Sequence, residues 1–444
     1  MKNTIRLITL FTSAGFILAS CEGPAGPTGK DANANCTECH NPAVVEKKAA
    51  EFEFSKHSYG EAAFGEVGNT ACDPCHESEG FKYVCKNNVP STFTLNASTG
   101  KYANDYACSS STAYGEFNCS TCHSNLHTTY TADDFSPLTT TAAVSMTMWK
   151  GTKSIDLTTD GSRSNLCVKC HQPRPLTTST TLSTGDVVDY ASLVSSPNTL
   201  FYDSSVGNAS PNTLLPSYRM HIHYGASGAV FAGKGGIEFT GLAYTNSAHT
   251  SVASCQDCHM ADMTLSAGGH TFRVRSGEGA LTSTTAWNFN GCNATGCHSA
   301  SPIDASSTTF WTTPRTEVKT LLNTLATKIN SLGTGTDILH KDATTTNLWA
   351  GIITNNYDGY IDIYDPSTNP LGAWKNPGST GTWTTAQKAT NNGLPTFPSL
   401  KNVVVGSMIN FQLCLREYSL GIHNHGYTKA LLQNSIDALT TAGI

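Results

Sequence analysis

Five copies of one short motif constrain this chain more than any other feature of its sequence. Each copy has two cysteines separated by two residues, and a histidine follows the second cysteine directly. A random order of the chain's 16 Cys and 15 His residues would give about 0.02 such motifs. Numbered in chain order, the sites are Cys36, Cys39 and His40 (site 1); Cys72, Cys75 and His76 (site 2); Cys119, Cys122 and His123 (site 3); Cys167, Cys170 and His171 (site 4); and Cys255, Cys258 and His259 (site 5).

This spacing suits the covalent attachment of haem c. Two cysteine thiols add to the two vinyl groups of a porphyrin, and the histidine beside them reaches the iron as the proximal ligand. Zinc sites and disulfide frameworks also use pairs of cysteines, but neither requires a histidine directly after every second cysteine. The five motifs therefore predict five covalently bound haems.

A sixth site has a longer spacing. In GCNATGCHSA, residues 291–300, four residues separate Cys292 from Cys297, and His298 follows directly (site 6). The two extra residues can loop out, because the residues between the cysteines are small. A disulfide between the two cysteines, with His298 incidental, is the alternative. We predict a sixth haem here, so that six haems serve 444 residues.

Nine histidines lie outside the six motifs, more than the six distal ligands that would close every iron. The stronger candidates by local context are His57, His127, His221, His223, His249, His270 and His423. Only one of His221 and His223 need bind iron, since alternate residues of an extended segment point to opposite sides. On a helix, His127 would share the face of His123, from which it could cap a neighbouring haem.

The remaining candidates are weaker. His340 and His425 have the least support from their surroundings. Methionine is the other common axial ligand, but Met220, Met260 and Met263 have no clear advantage over nearby histidines. Two glycines stand directly before His270, and we expect them to permit a close approach of the backbone to a porphyrin.

Three passages resemble multihaem cytochromes c of the cytochrome c nitrite reductase and octahaem type. They are CQDCHM at 255–260 with the following AGGHTFR, CVKCHQPRP with the later MHIHYGASGAVFAGKGG, and SLGIHNHGYTKALL at 419–432. The resemblance covers roughly residues 160–300 and 400–444. It implies distal roles for His249, His270 and His423, and for His221 or His223.

The chain departs from that family in one respect. The nitrite reductases keep an active haem with lysine in place of the motif histidine, and no CxxCK occurs here. Since every motif has its histidine and spare histidines are plentiful, the pattern favours electron transfer over catalysis.

The N-terminus, MKNTIRLITLFTSAGFILASC, has the pattern of an export signal. Lys2 and Arg6 precede an apolar run that is short for a spanning helix and ends in small residues. The final LASC resembles the lipobox of bacterial lipoproteins, although Cys21 could instead lie near an ordinary cleavage site. We expect a signal peptide over residues 1–20 and a lipid on Cys21. An exported protein anchored in this way would sit at the outer membrane or cell surface, with a periplasmic location as the alternative.

The rest of the chain divides by composition. Residues 21–35 are a Gly/Pro spacer, because Pro and Gly without apolar residues stay extended and solvated. Residues 36–300 form the multihaem cytochrome c region. Residues 301–444 form a helical C-terminal region that supplies a distal ligand. The expected fold is mainly α with extensive irregular loops, built around stacked haems.

The last third carries the clearest helical patterns. Apolar residues recur at helical spacing over 314–332, and Gly333 ends that run. Residues 402–418 and 426–441 predict two further helices, whereas 333–400 reads as irregular.

Three cysteines outside the motifs also have predicted roles. Cys85 and Cys108 would form a disulfide in an oxidising compartment, closing a polar loop. Cys414 would be a buried free thiol on a helix.

The sequence thus predicts a hexahaem electron carrier. Its partners would be redox proteins or extracellular electron acceptors such as minerals, and it could assemble into a homo-oligomer or filament. The net charge of −6 and the lack of a basic stripe argue against nucleic-acid binding. The alternative is a reductase of nitrite, hydroxylamine or a sulfur oxyanion with one open haem. Arg219, Arg273 and Arg275 would then supply a positive pocket.

Overall fold

The computed structural model describes residues 40–59, 72–88, 93–96, 101–104, 115–149, 152–176, 188–206, 216, 220–277, 286–342, 352–363, 372–375 and 383–444. The expectations for the export signal, Cys21, the spacer, Cys36, Cys39, Cys108 and Arg219 lie outside these residues. Cys85 is a free thiol among the described residues, and with Cys108 outside them the 85–108 disulfide remains a prediction.

Most of the α-helices are short, and the long ones lie near the C-terminus. In chain order the α-helices are α1 (Lys47–Glu53), α2 (Lys56–Tyr59), α3 (Asp73–His76), α4 (Ser78–Lys86), α5 (Cys119–Cys122), α6 (Ser164–Val168), α7 (Ser192–Ser195), α8 (Ser227–Phe231), α9 (His249–Val252), α10 (Cys255–His259), α11 (Thr313–Asn330), α12 (Thr385–Gly393), α13 (Asn402–Arg416) and α14 (His425–Thr441). Single turns of π-helix (Pro42–Glu46, Thr308–Thr312) and 3-10 helix (Ala132–Phe135, Gly269–Thr271, Thr354–Asn356) add to these.

The strands form four two-stranded antiparallel ribbons. They are β1 (Phe93–Asn96) with β2 (Lys101–Asn104), β3 (Val144–Ser145) with β4 (Ser154–Ile155), β5 (Leu200–Tyr202) with β8 (Leu400–Lys401), and β6 (Leu339–Lys341) with β7 (Tyr357–Ile361). The predicted mainly α class is confirmed. Among the described residues, no helix is long and apolar enough to span a membrane.

Helices α11, α13 and α14 pack on one another and form the centre of the main hydrophobic core. Pro314 in the first turn of α11 loses no helical hydrogen bond, because the first N–H groups of a helix have no partner within it. The core also takes in apolar residues from the motif-bearing region, such as Met148 and Ile222. Every residue of α13 is buried, including Cys414, so the predicted buried thiol is confirmed.

The three helices predicted for the last third are confirmed, but the prediction that 333–400 is irregular was wrong for part of that segment. β7 pairs with β6 and buries Tyr357, Gly359 and Ile361 on one face, which is the alternation of a half-buried strand. Helix α12 starts with a capping box. The Thr384 hydroxyl accepts a hydrogen bond from the Gln387 N–H, and the Gln387 side chain accepts one from the Thr384 N–H.

Candidate metal centres

Each described CxxCH motif closes into one helical turn. In sites 2, 3 and 4 the histidine N–H donates to the carbonyl of the first cysteine, over 3.1, 2.9 and 3.0 Å. Short capped helices hold two of these turns. Asn118 caps α5, and Ser254 and Asp257 form a capping box on α10. The turn thereby fixes both cysteines and the histidine relative to one another.

Site 6 keeps this closure despite its longer spacing. The His298 N–H donates to the Cys292 carbonyl over 2.9 Å, the same bond that the shorter motifs make. The extra residues bulge out between them, where the Cys297 N–H bonds the Ala294 carbonyl and Gly296 takes a positive φ of 89°. Cys292 and Cys297 are both free thiols, so the alternative disulfide between them is absent.

The structure sets each of the six motif histidines opposite one histidine from elsewhere in the chain. The distances between ring centroids are 6.1 Å for His40 and His127, 6.0 Å for His76 and His223, 6.5 Å for His123 and His270, 6.1 Å for His171 and His57, 6.2 Å for His259 and His423, and 6.3 Å for His298 and His249.

These distances match those of two imidazoles that bind one metal from opposite sides. A metal–nitrogen bond of about 2 Å on each side puts the two ring centres about 6.2 Å apart. The six pairs lie within a few tenths of an ångström of that value, although they join residues far apart in the chain. The two ligands of a bis-histidine haem would need this separation.

Hydrogen bonds at Nδ1 leave Nε2 available in four of these twelve rings. The Nδ1 atoms of His171, His223, His249 and His259 lie 2.8–3.2 Å from the main-chain carbonyl oxygens of Gly225, Tyr224, Ile422 and Phe272. A carbonyl only accepts, so Nδ1 carries the hydrogen and Nε2 keeps its lone pair. This tautomer can bind a metal through Nε2, and such outer bonds are usual around metal-ligating histidines.

The same reasoning separates His223 from His221, whose rings are also 6.4 Å apart. The His221 Nδ1 accepts the His223 N–H over 3.0 Å and lies 2.5 Å from Nη1 of Arg416, which can only donate. Nε2 of His221 therefore carries the hydrogen and has no lone pair for a metal. Of the two residues, His223 is the one that keeps the Nε2 lone pair, and its ring centroid lies 6.0 Å from that of His76.

Burial keeps several of these histidines neutral, as metal binding requires. It is the main cause that lowers the pKa of His57, His223 and His259 to about 4. Neighbouring positive charge adds to the effect, from Arg174 for His223 and from other histidines for His57 and His259.

The structure corrects one local expectation, the placement of His127 on a helix. His127 lies on no helix; it has a positive φ of 61° in a turn, and it reaches His40 from there. Gly268 and Gly269 lie close to other parts of the protein, because a Cβ at these positions would collide with the Ala261 carbonyl and the Glu51 carboxylate. The expected close approach to a porphyrin stays a prediction.

The weaker candidates lie elsewhere. His340 pairs with Asp358 over 2.9 Å, and His425 pairs with Glu317 over 3.0 Å. Arg273 contacts the Tyr59 hydroxyl, whereas Arg275 lies over the Trp287 ring. The side chains of Arg273 and Arg275 therefore contact different residues, Tyr59 and Trp287.

The sites contact one another in a continuous order. His127, which faces His40 of site 1, lies four residues after His123 of site 3, so sites 1 and 3 are neighbours. Thr121 of site 3 bonds Ser78, two residues after site 2, over 2.7 Å. The Cys75 Sγ of site 2 lies 4.0 Å from the Lys169 carbonyl of site 4.

The second half of the order runs from site 4 to site 6. The Cys255 N–H of site 5 donates to the hydroxyl of Ser164, three residues before site 4, over 3.1 Å. A Cβ on Gly291, next to site 6, would lie only 2.9 Å from Cα of Cys258 in site 5. The resulting order is 1, 3, 2, 4, 5, 6.

Buried amides on the C-terminal helices hold the segments that carry the facing histidines. Gln412 of α13 accepts the Ile222 N–H over 3.3 Å and donates to the Met220 and Gly359 carbonyls over 3.0 and 2.7 Å. Asn424 accepts the Ser247 N–H over 2.9 Å, two residues before His249. Sequence reasoning missed these residues, because a buried amide in a helix has no motif.

No family model, no curated protein and no solved structure matches the chain. Within the described ranges, no three His, Cys, Asp or Glu side chains converge into a further metal site.

Proposed function

We propose that this chain is a hexahaem c-type cytochrome that carries electrons through six bis-histidine haems. The observation that carries the proposal is the set of six histidine pairs at 6.0–6.5 Å. Each pair joins the histidine of one Cys–His motif to a histidine without such a motif. The cysteines would hold the porphyrin covalently, and the two imidazoles would bind its iron.

The order of the sites supports electron transfer along a chain of haems. Contacts link sites 1, 3, 2, 4, 5 and 6 in sequence, so each porphyrin would have a close neighbour. His40 and His127 at one end are exposed, as is Cys297 at the other. His57, His171, His259 and His423, between the ends, are partly enclosed by protein. The chain would exchange electrons with partners at sites 1 and 6.

Haem counting tests this proposal. Protein produced in a host with a cytochrome c maturation system should contain six haems in a pyridine haemochrome assay. His298→Ala should remove one low-spin signal from the electron paramagnetic resonance spectrum. His425→Ala, which alters a half-buried histidine paired with Glu317, is the matched control and should retain all six signals. A colourless wild-type protein would contradict the proposal.

The reductase alternative has less support. It needs an iron whose second axial position is open to substrate, yet each of the six motif histidines faces another histidine. A high-spin population in the resting wild-type protein, together with turnover of nitrite or hydroxylamine, would favour the reductase instead.

Redox proteins or extracellular acceptors are the partners with which such a carrier would exchange electrons.

The lipobox-like LASC sequence supports anchoring through Cys21 at an outer membrane or cell surface. Cys21→Ser should move the cytochrome from the membrane fraction to the soluble fraction. If the variant stays with the membrane, lipid anchoring at this residue is wrong.

A further inference from the structure

Two consecutive buried residues of opposite charge end helix α13. Arg416 is its last residue and Glu417 follows it, and both have 0% of their surface exposed. Buried charges usually pair with each other. No ion pair joins these two among the described contacts, and each side chain instead reaches a different site.

Glu417 is turned toward site 5. Its Oε2 accepts hydrogen bonds from Nδ1 of His423 and from the Ser419 hydroxyl, each over 2.6 Å. Its Oε1 accepts the N–H groups of Ser419 and Gly421, over 3.1 and 3.0 Å. All four partners donate, which is the environment of an ionised carboxylate.

Arg416 is turned toward site 2. Its guanidinium stacks on the rings of Tyr224 and Tyr360, 4.2 and 4.8 Å from their centroids, and meets His221 beside His223. Its Nε and Nη2 donate to the main-chain carbonyl of Asp358. The carboxylate of that aspartate binds His340 and the Tyr360 N–H instead.

These two charges should affect the ferric and ferrous states differently. A carboxylate that accepts the Nδ1–H of an iron ligand raises the basicity of that ligand and stabilises ferric iron. A positive charge held near an iron disfavours its ferric state. Both effects are large where water is excluded, because the local dielectric constant is low.

We propose that Arg416 and Glu417 set the reduction potentials of two haems apart, Glu417 lowering that of site 5 and Arg416 raising that of site 2. This inference rests on the proposed haem content. Each half-reaction adds one electron to a ferric iron, so a partly reduced protein would hold its electrons at site 2 rather than site 5. Site 4 and the turn before it contact both of these sites and would connect them.

Potentiometric titration followed by electron paramagnetic resonance tests this pair of residues. The imidazole planes are 22° apart at site 5 and 69° apart at site 2, so the two irons should give different low-spin signals. Glu417→Gln should shift the site 5 midpoint upward and leave site 2 in place. Arg416→Gln should shift the site 2 midpoint downward and leave site 5 in place.

Conservative variants separate the effect of losing a charge at these two positions from the effect of disturbing the fold. Glu417→Asp and Arg416→Lys keep the charges and should keep midpoints near those of the wild type. Glu317→Gln removes a surface carboxylate from α11 and should move neither midpoint. Six haems with unchanged midpoints in both neutral variants would overturn this inference but leave the proposed function standing. A wild-type protein without haem would overturn both.

Discussion

At the scale of single residues, the hydrogen-bond partner of Nδ1 decides which histidine is available to a metal. His221 and His223 lie two positions apart, and both rings lie near site 2. The His223 Nδ1 donates to the Tyr224 carbonyl, whereas the His221 Nδ1 accepts a main-chain N–H. Sequence patterns cannot distinguish these tautomers, because the partners come from the folded backbone and from Arg416.

His223→Ala should therefore differ from His221→Ala. Loss of His223 should open one iron and convert one low-spin signal to a high-spin signal, with six haems still attached. Loss of His221 should keep six low-spin irons. Electron paramagnetic resonance of the two purified variants makes the comparison. A high-spin signal in His221→Ala alone would show that the assignment is reversed.

At the scale of elements, helix α13 provides buried polar groups to loops that have little regular structure. Asn410 donates to the Ile237 carbonyl over 2.7 Å and accepts the Ile237 N–H over 2.8 Å. Such paired bonds satisfy both main-chain groups of a buried residue.

Asn410→Ala should lower the free energy of unfolding by about 2–4 kcal/mol. The substitution leaves two buried main-chain groups unsatisfied, each at about 1–3 kcal/mol. Denaturant titration followed by circular dichroism measures the change. Thr324→Ala, on the exposed face of α11, is the control and should stay within about 0.5 kcal/mol. Equal effects of both variants would contradict the role assigned to Asn410.

The pairing of β6 with β7 should depend on pH through His340. The Asp358 hydrogen bond is the main cause that raises the pKa of His340 above its ordinary value, against the opposing effect of burial. A raised pKa means that the folded state binds the proton more tightly. The stabilisation is then complete below the unfolded-state value of about 6.5 and is lost as pH rises through the higher folded-state value.

His340→Gln should accordingly be less stable than the wild type in mildly acidic buffer and equally stable in alkaline buffer. Thermal unfolding of both proteins across this pH range measures the difference. A constant difference in stability at every pH would mean that the charge on His340 contributes nothing to the stability of the folded state.

At the scale of the whole molecule, the six histidine pairs fall into two classes of ring orientation. Sites 1, 3 and 5 have planes 23°, 35° and 22° apart. Sites 2, 4 and 6 have planes 69°, 83° and 84° apart. Along the series 1, 3, 2, 4, 5, 6, the two ring planes are near-parallel at sites 1 and 3 and near-perpendicular at sites 2 and 4. They are near-parallel again at site 5 and near-perpendicular at site 6.

We expect two kinds of low-spin ferric signal with equal spin counts. Near-parallel imidazole planes separate the iron d orbitals and give a rhombic spectrum. Near-perpendicular planes leave two orbitals almost degenerate and give a single feature at large g. Low-temperature electron paramagnetic resonance of the oxidised wild type measures the ratio. Six signals of a single kind would contradict these ring orientations.

Much of the local structure could be predicted from the sequence. Apolar spacing identified α11, α13 and α14, because a helix buries residues three and four positions apart whatever it packs against. The β6–β7 pairing was missed, since it depends on partners about 16 to 22 residues away, such as Leu339 with Ile361 and Lys341 with Tyr357. The buried side chains of Gln412, Arg416 and Glu417 were missed because nothing local marks a polar residue as buried.

The sequence by itself determined the Cys–His motifs and the number of candidate sites, since the spacing of thiols and histidine is a property of a few consecutive residues. It also provided a set of histidines large enough to face every site. Only the tertiary structure decided which histidine faces which motif, the order in which the sites touch, and the charges beside each ligand. These depend on contacts between segments up to about 200 residues apart, such as His221 and Arg416, and no local pattern encodes them.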